Sequence, residues 1–231
     1  MTRDGTAGGD AMTRDEPAGD GVPGGAQLAP ELVTRVERLL ARGGRRLLGI
    51  AGAPGAGKST LSAAVVAAFP GRAVAVPMDG FHLAQTELER LGRADRKGAP
   101  DTFDAAGFVA LLRRLREPAP GETVYAPEYR RDLRNGVAGA IAVPADVPLV
   151  VTEGNYLLVD VAGFGPVAGL LDEAWFVAPD DRVRLERLVA RHVRFGKAPD
   201  AAHAWSHGPD EANARLVAPT AARADVVVRE P

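Results

Sequence analysis

The spacing of apolar positions changes several times along the chain. In PELVTRVERLLARGG, residues 30–44, Leu32, Val36, Leu39 and Leu40 fall on one helical face, and Glu31, Arg35, Arg38 and Arg42 fall elsewhere. Pro30 opens that segment and Gly43-Gly44 closes it, the start and stop signals of a helix. Apolar runs of strand length follow at 46–51 (RLLGIA), 73–77 (AVAVP), 148–152 (PLVVT), 173–177 (EAWFV) and 224–228 (ADVVV). Helical spacing returns at 58–69, 104–116, 180–195 and about 208–217. Strands that alternate with helices predict an α/β fold, a mostly parallel sheet with helices on both faces. No repeat of fixed period is present.

Residues 1–29 do not join this pattern. Gly, Asp, Ala and Pro dominate there, and Met1, Met12, Val22 and Leu28 are the only large aliphatics. Such a segment buries too little apolar surface to offset its ordering entropy, so a flexible tail is expected ahead of one domain, 30–231. The chain is 46% hydrophobic and 25% charged, the composition of a soluble globular protein. It has no cysteine, which excludes disulfides, thiolate zinc sites and cysteine nucleophiles and fits a reducing cytoplasm. A formal net charge of −2 provides no global field toward nucleic acid or an anionic membrane. No apolar run approaches the roughly 20 residues of a membrane span, and the N-terminal stretch lacks the apolar core of a secretory signal. The expected setting is cytoplasmic, with a small molecule as partner and a homodimer compatible with it.

Chemistry concentrates first in GIAGAPGAGKST, residues 49–60. Gly52, Ala53, Pro54, Gly55, Ala56, Gly57, Lys58 and Ser59 fit G-x-x-x-x-G-K-[ST], between a predicted strand and a predicted helix that continues through Thr60. Small residues let backbone N–H groups curl around a phosphate, and the helix N-terminus adds positive partial charge. Lys58 is placed to reach the β- and γ-phosphates of ATP, and the Ser59 hydroxyl to bind Mg²⁺. A GTPase would need an N/T-K-x-D signature, and none of the three lysines, Lys58, Lys97 and Lys197, sits in one.

Two carboxylates follow at strand ends. VAVPMDGFHL puts Asp79 just past the second strand, where open parallel sheets bind ligands and where a base could take a proton from an attacking hydroxyl. PLVVTEGNYLL ends its strand at Glu153, a Walker B-like acid for Mg²⁺ and a second candidate base.

Together GIAGAPGAGKST, VPMDGFHL, VYAPEYRRDLR and PLVVTEGNYLL resemble the phosphoribulokinase, uridine kinase and type I pantothenate kinase superfamily, over about Arg46 to Val228. The resemblance implies a P-loop NTPase-like three-layer sandwich with a small lid, ATP and Mg²⁺ as cofactors, Asp79 as catalytic aspartate and Glu153 as the acid of the Walker B-like strand. MDGFHL and RKGAPDTFD are similar to the pantothenate-kinase-like branch, whereas Lys97-Gly98 stand where uridine kinases carry a base-contacting Phe-Asp pair. Acceptor candidates are His82, Lys97, Asp101, Tyr125, Tyr129 and Arg130; the two tyrosines correspond to aromatic positions near the acceptor in uridine kinases. Arg130, Arg131 and Arg134 keep a phosphorylated or carboxylated acceptor open, because arginine forks suit such anions.

In DDRVRLERLVARHVRFGK, Arg184, Arg187, Arg191 and Arg194 form one stripe, with Glu186 the available acid within its length. The stripe is expected to face bound phosphates, in a lid over about 184–207 hinged at Gly196. The family's lid arginines match Arg187 and Arg191 best, and its C-terminal segment puts Pro219 and Thr220 near the adenine. His203 and His207 have half of a zinc spacing without further ligands. The expected activity is an ATP-dependent small-molecule kinase acting on a hydroxyl of a sugar, a pantothenate-like or a nucleoside-like acceptor. A nucleoside monophosphate kinase and a non-catalytic nucleotide-binding regulator are the alternatives.

Overall fold

The computed structural model describes residues 27–229. The tail expected over 1–29 lies outside the described residues as far as residue 26; Leu28, assigned to it, is buried against the core instead. Helix α1 (Pro30–Ala41) precedes β1 (Arg46–Gly52), which leads through the glycine-rich loop into α2 (Lys58–Ala68) and β2 (Ala73–Ala75). A 3₁₀ turn, Met78–Phe81, and α3 (Gln85–Arg90) come before α4 (Ala105–Arg116). An antiparallel hairpin follows, β3 (Val124–Arg130) with β4 (Asn135–Val143). The chain re-enters the main sheet as β5 (Leu149–Gly154) and β6 (Glu173–Val177). It then forms α5 (Asp181–Arg194), α6 (Pro199–His207) and α7 (Pro209–Val217), and finishes the sheet with β7 (Val226–Val228).

The five-stranded sheet has the order β2-β5-β1-β6-β7 and is parallel throughout, with Ile50 of β1 level with Glu153 of β5 and Trp175 of β6. Successive β1 side chains point to opposite faces. Leu48 and Ile50 pack with α1 and α2 through Val36, Leu39, Leu61 and Val65. Leu47 and Ala51 belong to the other core, with Phe108 and Leu112 of α4 and with Tyr156 and Phe164. Both faces are covered, as the strand–helix alternation predicts.

The hairpin is the part that periodicity does not show. Its strands pair with each other and leave much of their surface exposed; polar residues and a proline interrupt β3, and β4 consists mostly of glycine and alanine, which carry little strand signal. Pro127 sits where the register shifts between Ala126 and Glu128, a bulge that tolerates its missing N–H. No described helix is long and apolar enough to cross a membrane.

Candidate active site

Three neighbouring strands, β2, β5 and β1, deliver Asp79, Glu153 and the glycine-rich loop to one edge of the sheet. The loop needs its glycines for different reasons. Gly57, at the N-cap of α2, has a φ of 98°, and no side chain caps the helix, so its first N–H groups face outward for an anion. Gly55 has a φ of 81°, and a Cβ there would lie 2.7 Å from the Arg184 carbonyl of α5. Lys58 is buried; its Nζ donates to Ala53 O at 3.0 Å and to Asn155 Oδ1 at 2.8 Å. Burial lowers its pKa to about 8, against the opposing pull of Glu153 and Asp79.

Ser59 Oγ donates to Glu153 Oε1 at 2.9 Å. Burial, and then the charge of Asp79, raise the Glu153 carboxyl above its ordinary range. A divalent cation would relieve that repulsion, so this donor set of hydroxyl and carboxylate oxygens fits Mg²⁺. Among the described residues no group of three or more His, Cys, Asp or Glu side chains is disposed to hold a metal. The remaining ligands would be phosphate oxygens and water, the usual mode for Mg²⁺.

Asp79 lies in the Met78–Phe81 turn and lines a cleft of about 280 Å³ together with Lys58, Ser59, Glu153 and Asn155. His82 contributes an imidazole nitrogen within 2.8 Å of the Asp79 carbonyl, and its ring packs on Phe103 and Tyr129. Burial lowers the His82 pKa, so the ring is neutral near pH 7. From α5, Arg191 enters the cleft with no ion pair among the described residues. The far wall carries Lys97, Tyr129, Arg131, Arg134, Lys197 and Trp205.

The phosphoribulokinase / uridine kinase family model matches residues 47–230. The ATP-dependent kinase-like protein notR' of Aspergillus versicolor is 37% identical over 133 residues, 55% of this chain and 77% of its own. A candidate uridine kinase of Schizosaccharomyces pombe is 33% identical over 175 residues, 72% of this chain and 74% of its own. The solved structure of a candidate fructose transport system kinase from Silicibacter sp. TM1040 is similar with a TM-score of 0.76 at 38% identity, over 85% of this chain and 97% of that one. The chain belongs to the phosphoribulokinase / uridine kinase family. As a kinase of that family it is an ATP-dependent phosphotransferase with an alcohol group as acceptor.

Within this family kinase the residues singled out by sequence do not all meet. Lys58, Ser59, Asp79, His82, Lys97, Tyr129, Glu153 and Arg191 share the cleft. Asp101 lies outside its lining and is paired with Arg93 and Arg96. Tyr125 is 57% exposed on β3 and Arg130 pairs with Asp132, both away from the cleft. Pro219 and Thr220 occupy a 3₁₀ turn outside the lining, where Thr220 Oγ1 donates to Val217 O.

The arginine stripe divides. Arg184 is buried, held by Asp181 and Glu211, and donates to Pro54 O at 3.3 Å, whereas Arg187 and Arg194 are exposed. The acids that offset the stripe are thus Asp181 at the start of α5 and Glu211 of α7, while Glu186 pairs with Arg182. Sequence reasoning missed Asn155, Trp205, Asp210 and Asn213 as cleft residues. Asn155 alone carried a signal, two positions past Glu153 at a strand end.

Proposed function

We propose that this family kinase transfers the γ-phosphoryl group of ATP to a hydroxyl of a small metabolite, with Asp79 as the base. What supports the reading is one juxtaposition: Asp79 shares a cleft with Lys58, Ser59 and Glu153, all at the carboxyl ends of adjacent parallel strands. The acceptor oxygen attacks the γ-phosphorus, its proton passes to Asp79, and the bond to the β-phosphate oxygen breaks. Lys58 and Arg191 face the oxygens on which negative charge spreads. Ser59 and Glu153 would hold Mg²⁺, whose part is to neutralise phosphate charge. Pro219 and Thr220 remain the proposed neighbours of the adenine.

Arg191 is assigned the lid role rather than Arg187, since it alone of the two lines the cleft. Closure of α5–α6 about Gly196, φ 91°, would exclude water from the transfer. The relatives' names suggest testing uridine and fructose among acceptors. In the decisive experiment Asp79→Asn lowers kcat by about 10²–10⁴-fold with nucleotide affinity nearly unchanged. Full turnover in that variant would overturn the base assignment, and undiminished ADP release without any acceptor would favour a different role.

A further inference from the structure

The ammonium of Lys58 has three protons to donate, and two of them have acceptors in the protein: Ala53 O at 3.0 Å and Asn155 Oδ1 at 2.8 Å. An ammonium that bridges a β- and a γ-phosphate oxygen needs two protons for those. Four acceptors then compete for three protons. Ala53 O belongs to the P-loop backbone, between Gly52 and Pro54, and moves only with the loop itself. Asn155 is a half-buried side chain just past the end of β5, free to rotate, so its amide oxygen is the acceptor that yields.

Asn155 has a second attachment. A lysine can only donate, so the Asn155 atom facing Nζ is the oxygen, and the amide nitrogen is turned away. The same side chain hydrogen-bonds the hydroxyl of Tyr156, against the upward push that burial and the charge of Asp79 give that phenol. The phenol therefore keeps its proton and donates to Gly98 O, which also accepts from Asn213 Nδ2 of α7 at 3.2 Å. The Tyr156 ring is fully buried, edge-on to Phe103 and tilted against Phe164, so it transmits a displacement rather than absorbing it. Gly98 in turn closes a small network: its N–H donates to Thr102 Oγ1 at 2.9 Å, and Thr102 Oγ1 donates to Ala99 O at 2.7 Å. Lys97, one position earlier, lines the cleft. One hydrogen-bonded line thus runs from the P-loop lysine to the loop that carries Lys97.

We propose that Asn155 is a positioning residue that reports the filling of the P-loop to residues 96–102. When Lys58 turns to the β- and γ-phosphates, Asn155 Oδ1 loses its donor and the amide swings. Tyr156 Oη then loses a partner, and the hold on Gly98 slackens. The Lys97 loop is left pinned chiefly by Asn213 and gains freedom to adjust to a second ligand once the nucleotide is seated. Asn155 acts through Lys58 and touches no reacting atom itself. The proposal rests on Lys58 reaching the phosphates and is independent of Asp79 as base.

Hydrogen exchange read by mass spectrometry tests this on the full chain. A non-hydrolysable ATP analogue with Mg²⁺ is added at saturation, with binding checked by calorimetry, and two stretches are followed, 52–60 and 96–103. A ligand that merely tightens the protein slows exchange in both. The expected result has opposite signs: slower exchange over 52–60, and faster exchange, by roughly threefold or more, over 96–103. In Asn155→Ala and in Tyr156→Phe the response over 96–103 is lost, while the slowing over 52–60 persists. Tyr156→Phe keeps the buried ring and leaves Gly98 O its bond from Asn213, so it carries the test if Asn155→Ala does not fold. Exchange over 96–103 that stays unchanged or slows in the wild-type protein overturns the proposal. So does either variant if it binds the analogue and keeps the wild-type response. No slowing over 52–60 in the wild-type protein would take Lys58 away from the phosphates, and the proposal would fall with that placement.

Discussion

Lys58 shows how burial and function oppose each other at one side chain. Its ammonium has two neutral oxygen partners, Ala53 O and Asn155 Oδ1, and loses most of its hydration. Burial therefore draws its pKa from 10.5 to about 8. A polyphosphate beside Nζ restores affinity for the proton, so between these two values nucleotide binding is coupled to proton uptake. Calorimetric titration of ADP near pH 9 in two buffers of different ionisation enthalpy should register uptake approaching one proton. Affinity should also fall, by up to about tenfold per pH unit, as pH rises through about 8. An affinity flat from pH 7 to 10 would mean that the ammonium keeps its charge. Folding has the opposite sign over the same window: the unfolded chain binds the extra proton, so this group's contribution to stability grows with pH.

At the scale of elements, α5 does two jobs with one arginine stripe. Arg184 ties the helix to the P-loop through Pro54 O and to α7 through Glu211, while Arg191 two turns later faces the cleft. Arg184→Ala should destabilise the protein by about 2–4 kcal/mol in chemical denaturation. That is less than for a fully enclosed pair, because Asp181 is exposed and can rehydrate. Arg187→Ala should change stability by no more than about 0.5 kcal/mol. Equal losses in the two variants would contradict the division of roles.

This division also marks where sequence reasoning stops. The P-loop was legible because its chemistry is local, eight consecutive residues between one strand and one helix. Asp79 and Glu153 were legible because strand ends announce themselves where apolar runs stop. Arg184 was read with its stripe as facing phosphates because one of its two carboxylate partners, Glu211, is 27 positions away on a different helix. The hairpin was read only as a motif for acceptor contacts, since a bulge at Pro127 and the small residues of β4 hide strand periodicity. Arg131 and Arg134, rather than Arg130, reach the cleft because the hairpin turn sets their direction. The opposed sides of the cleft come from segments far apart in the chain, and no short-range pattern encodes that meeting.

Across the whole molecule, the sheet supplies the P-loop side of the cleft and the hairpin supplies part of the wall that carries Tyr129, Arg131 and Arg134. The two meet at the turn that carries Asp79. Gly80 is the joint: a Cβ there would collide with the Pro127 carbonyl of β3, and a Cβ on Gly136 of β4 would collide with the Gly80 carbonyl. Close approach rather than backbone conformation demands these glycines, since neither has a positive φ. Gly80→Ala must therefore push the hairpin away from the turn, or twist the turn and move the Asp79 carboxylate. Overpacking of this kind costs about 1–3 kcal/mol. With Asp79 as the proposed base, a displacement near 1 Å between it and the acceptor should lower kcat on the order of 10–100-fold. The KM for ATP should change little, because the P-loop is built on β1 and α2. Gly169→Ala is the matched control, with no atom within 4 Å of the added Cβ and no positive φ. It should leave both stability and kcat at wild-type values. A Gly80→Ala enzyme with unchanged kcat would show that the hairpin does not set the position of Asp79.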